Sequence, residues 1–120
     1  MKVIGTDFKE YTIEPEANLR DANLTEAHLD DANLSDANLS GANLRWASLK
    51  GADLSKANLT EAHLDDANLR DTNLRDANLS GANLTEAHLS DANLRDANLT
   101  EAHLSDADLT NIEYNDETIW

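Results

Sequence analysis

The chain has 120 residues, room for one domain, and its 24 Asp and Glu against 9 Lys and Arg leave a formal net charge of -15. A nucleic-acid groove and an anionic membrane surface both need clustered cations, so direct partners of either kind are excluded and a basic protein partner is expected. There is no cysteine, which removes disulfides, thiolate catalysis and Cys-rich zinc sites.

Residues 1–16, MKVIGTDFKEYTIEPE, are charged along their length and hold no apolar run of signal-peptide size. Nothing later approaches membrane-spanning length, and a cytoplasmic location is expected. This segment is read as an N-terminal cap strand, with Val3, Ile4, Phe8 and Ile13 covering the start of the next element.

Residues 17–111 repeat with a period of five, reading A-[N/D/H/S]-L-x-x nineteen times. Leucine fills every fifth position from Leu19 to Leu109, and only Thr72 breaks the alanine column two residues before it. In an α-helix a five-residue step advances roughly 140° beyond a full turn and would smear leucine around every side. Ala and Leu two apart instead share one side of a short extended segment, and the three-residue step to the next Ala requires a corner. Thr72, the polar intruder among the alanines, is expected to bond a nearby backbone carbonyl.

Runs such as ANLRDANLTEAHL and ANLSGANLRWASLKGADL closely resemble the pentapeptide-repeat family, over about four-fifths of the chain. The resemblance implies an all-β fold, a single right-handed quadrilateral parallel β-helix with four pentapeptides per turn, hence about five coils, and terminal caps. It also implies that the central Leu and the Ala two before it point inward. Family members that confer quinolone resistance look like rods of duplex DNA and occupy the DNA site of gyrase, so an acidic DNA mimic is one functional expectation. Those members are longer and often carry Phe at the repeat centre, where this chain has Leu. The leading expectation is therefore a non-catalytic structural or protein–protein interaction module.

With four repeats per coil, every fourth repeat stacks on the same side. Asn18, Asn38, Asn58, Asn78 and Asn98 then form a column whose amides are expected to bond one another along the axis. Acids gather at the fifth repeat position, as at Asp21, Glu26 and Asp31, where they confer solubility and deter edge association. Arg45, Trp46, Lys50 and Lys56, opposed only by Asp53, interrupt the acids and form a candidate interaction patch. His28 and His88 fall three coils apart, and His63 and His103 two, about 14 and 10 Å, too far for one metal ion. No phosphate-binding or nucleophile motif occurs, and no catalytic residue, metal or cofactor is expected.

Residues 112–120 are read as a C-terminal cap or dimer contact. Ile112, Tyr114 and Ile119 keep the five-residue register but replace Ala or Leu with larger groups, and Trp120 follows them. A monomer with a closed end and an end-to-end homodimer are both compatible with this segment.

Overall fold

Each Ala-x-Leu segment is too short to stand as a strand and must find its hydrogen bonds outside itself. The computed structural model, which describes all 120 residues, shows where they go. The second residue of each repeat forms a parallel bridge with its counterpart four repeats on: Asn18 with Asn38, Asn38 with Asn58, and so along all four sides. Four repeats therefore make one turn of a stacked parallel β-helix.

Within a repeat the N–H groups can be followed one by one. The Leu19 N–H donates to Asn38 O at 2.7 Å, and the Asn38 N–H donates to Ala17 O at 2.9 Å. At the corner the Ala22 N–H returns to Leu19 O at 3.0 Å, while the Asp21 N–H reaches Ser40 O of the next coil at 3.0 Å. The fourth residue uses a side chain: the Arg20 N–H donates to Asn18 Oδ1 at 3.3 Å, and Ser40 and Thr60 do the same to Asn38 and Asn58. Every N–H of an interior unit with Asn or Asp at its second place thus has an acceptor, as buried backbone requires, while the fourth residues of the repeats that carry His28, His63, His88 and His103 leave theirs to solvent.

This corrects the expected asparagine ladder. Oδ1 is held by the local turn two residues on, so the amides cap their own repeats and do not bond one another along the column. Ser48 shows the rule by exception. It has no Oδ1, and the Asp30 carboxylate of the preceding coil receives both the Ser48 hydroxyl and the Lys50 N–H instead.

Leucine and alanine fill the centre. Every repeat leucine from Leu24 to Leu94 is fully buried, and Thr72 is buried among the alanines with its hydroxyl donating to Leu49 O at 3.0 Å. The molecule measures 40 × 26 × 23 Å.

The N-terminal end is crossed by an antiparallel hairpin of β1 (Lys2–Ile4) and β2 (Glu10–Thr12), with Val3 opposite Tyr11. Ile13 is buried, and Val3 and Tyr11 pack on the core. Ile4 and Phe8 do not cover it: they are 73% and 91% exposed. Strand alternation turns Ile4 outward while Val3 faces in, and Phe8 sits in the hairpin loop at φ 65°. Tyr11 takes the covering role instead. Its Oη accepts the Asn23 N–H at 3.2 Å, replacing the carbonyl that an earlier coil would supply, and donates to Asp7 at 2.6 Å. The bond from Tyr11 holds the Asp7 carboxyl below its ordinary pKa.

At the other end the register slips. Asn98 bridges Ile119 where a strict repeat would offer Thr118, so one residue is inserted and the five-residue register expected for Ile119 fails. Ile112 keeps the alanine position and packs on the core. The insertion falls between Glu113 and Thr118, and Tyr114, in the place of an inward leucine, is turned out and 62% exposed. Thr118 points inward in place of an alanine, its hydroxyl donating to Leu94 O at 2.8 Å as Thr72 does to Leu49. Asn115 repairs the corner, accepting the Asp96 N–H on Oδ1 at 3.0 Å and donating from Nδ2 to Asp96 at 3.1 Å.

Candidate interaction surfaces

The outer surface is set by the corners. The fifth residue of every repeat, from Glu16 to Asn111, has φ between 55° and 70°, the left-handed region. Glycine occupies it at Gly41, Gly51 and Gly81, and acids occupy it at most other corners. Because the backbone is the same each time, the corner side chains project alike and stack into four columns about 4.8 Å apart along the axis.

The four residues of the candidate patch lie on one coil but not on one face. Arg45 stands on the side that bears Asn43, Trp46 at the next corner, Lys50 on the following side, and Lys56 one side further on, at the corner after Gly51. Arg45 is also not free. Its Nε lies 2.8 Å from Asp65 of the following coil, an acid that a reading confined to Asp53 misses because the pair is separated by a whole coil of sequence. Trp46 itself is 57% exposed.

Where a corner is glycine the surface dips. Gly41 leaves a shallow polar cleft of about 310 Å³ between Asp21 and Glu61, with Arg20, Ser40 and Thr60 on its walls and no hydrophobic lining. The four histidines are separated by the bridging pattern, His28 and His88 on one side and His63 and His103 on the adjacent one.

The two ends differ. In the first coil Leu19, Leu24, Leu29 and Leu34 are exposed by no more than 3%, whereas Leu104 and Leu109 of the last coil are only half-buried. The N–H groups of Leu104 and Leu109 and the carbonyls of Ala102 and Ala107 have no partner there. Beside this open edge stand Tyr114, Ile119 and Trp120, at 62%, 52% and 51% exposure, with the Tyr114 and Trp120 rings edge-on at 5.9 Å. Sequence reasoning found these residues by their size. It could not see that two sides of the last coil stay uncovered.

Comparison with known proteins agrees with this architecture. A family model described as pentapeptide repeats matches residues 17–55, 37–76, 52–91 and 77–112. A pentapeptide repeat protein from Nostoc Pcc 7120 is 42% identical, with a TM-score of 0.73 and 73% of each chain covered. One from the Arabidopsis thaliana thylakoid lumen is 30% identical, with a TM-score of 0.74, over 78% of this chain and 65% of that one, so the chain spans about two thirds of that relative. No curated protein sequence matches. The unbroken leucine column, the pairing of every fourth repeat and the family match together place the chain in the pentapeptide-repeat family.

Proposed function

We propose that the chain is a right-handed quadrilateral β-helix of about five coils, closed at the N-terminus by residues 1–16, that serves as a non-catalytic protein–protein interaction module. Its docking surface is the C-terminal end, and the occupant is a second copy, giving an end-to-end homodimer. The observation that carries this is the half-buried Leu104 and Leu109 with their unpaired edge, beside exposed Tyr114, Ile119 and Trp120. Unpaired strand edges recruit strands, and this edge offers donors and acceptors together, which suits pairing with itself about a two-fold axis.

Sedimentation equilibrium tests it. Twice the 13.1 kDa chain mass is expected, reverting to one chain mass in Trp120→Lys, whose exposed side chain can change without disturbing the core. A monomer at every concentration would remove the homodimer. The same reading expects no inhibition of gyrase supercoiling at micromolar protein, and inhibition would favour the DNA mimic.

A further inference from the structure

Trp46 is poorly suited to the place it occupies. It is a bulky residue at φ 57°, where such side chains are outliers. Its N–H lies 3.3 Å from Asp65 O, against 2.9 Å for the matching bond from each of Asp36, Gly41, Gly51 and Lys56. Over half of its surface is in solvent, so the indole adds little to the core. A residue that costs the fold something and contributes little packing points to a use on the surface.

Its column names the chemistry. The corner reads Glu26, Trp46, Asp66, Glu86, Asp106 from one coil to the next, all between φ 57° and 60°. None of its four acids is in an ion pair, and Arg45, the nearest cation in sequence, is turned to Asp65. Asp66 and Glu86 crowd each other, their shared hydrogen bond and repulsion holding Glu86 above the ordinary carboxylate pKa. A cation arriving there would relieve that repulsion. An indole flanked along one line by unpaired carboxylates matches a lysine or arginine, which gains from the π face and from the acids at once.

We infer that the Trp46 corner is a second docking surface, separate from the C-terminal end, for a lysine- or arginine-rich segment of a partner protein lying along the axis. One cation covers Trp46 and others meet Asp66, Glu86 and Asp106. Charge complementarity favours this occupant over a neutral or acidic one, since the whole chain carries -15.

In a Trp120→Phe background Trp46 is the sole tryptophan, so titration with an oligolysine peptide should give a saturable change in indole emission. Calorimetry should show affinity falling about tenfold in Trp46→Gly, which keeps the left-handed corner, and in Asp66→Asn/Glu86→Gln/Asp106→Asn. Asp31→Asn/Asp71→Asn/Asp91→Asn, which removes the same charge from another corner, should bind as the parent does, and so should Trp120→Lys. Absence of an emission change, or equal loss in the two triple variants, would overturn the inference by reducing the effect to net charge. Loss in Trp120→Lys would overturn it too, by moving the site to the C-terminal end and leaving the proposed docking there intact.

Discussion

At the corner residues two demands meet, a left-handed backbone and an outward side chain. Gly51→Ala should cost about 1–2 kcal/mol in urea unfolding, because alanine pays the left-handed penalty and its Cβ would stand 2.3 Å from Asp31 Oδ1. That acid is the flexible end of a side chain and can move, so most of the cost should persist in an Asp31→Ala background. The corner was legible in the sequence, since Gly41, Gly51 and Gly81 fall only at the fifth repeat position. The role of the second position was not. An asparagine at every fourth repeat suggests an axial ladder, and only the turn geometry shows Oδ1 committed to the N–H two residues on. Titration is also decided residue by residue. Glu86 has a folded pKa raised chiefly by its bond to Asp66, so its contribution favours folding at acid pH and is lost as pH rises through that folded value. Glu86→Gln should therefore raise the melting temperature near neutral pH, and the gain should vanish as pH falls below the carboxylate range.

Among the elements, the interior coils and the two ends differ in kind. Leu64 is fully buried between coils, so Leu64→Ala should cost about 2–5 kcal/mol. Leu109 is half-buried at the open end and should cost much less, as equilibrium unfolding of the two variants would show. The repeat unit predicts the interior well because identical neighbours supply identical bonds. It fails at the termini, where no coil lies beyond. Tyr11 replaces a missing carbonyl through its hydroxyl, a bond with no signature in YTIEPE. The extra residue between Glu113 and Thr118 is equally hidden: Ile119 lies two repeats after Leu109 by count, yet the bridge to Asn98 and the inward turn of Thr118 set it one place off.

For the whole molecule the fold follows from one rule, five residues per side and four sides per turn, and its uses must lie on corners and ends. Two chains of -15 repel, so pairing at the C-terminal end should strengthen with added salt, which screens that repulsion. A salt-weakened dimer would point to ion pairs that this end does not supply. The arrangement of the pair matters more than its existence, and small-angle X-ray scattering reads it. An end-to-end dimer should extend to roughly twice the 40 Å length of one chain and return to the single length in Trp120→Lys. A dimer whose greatest dimension stays near that of one chain would be packed side by side, and would contradict the assignment of the C-terminal end as the docking surface.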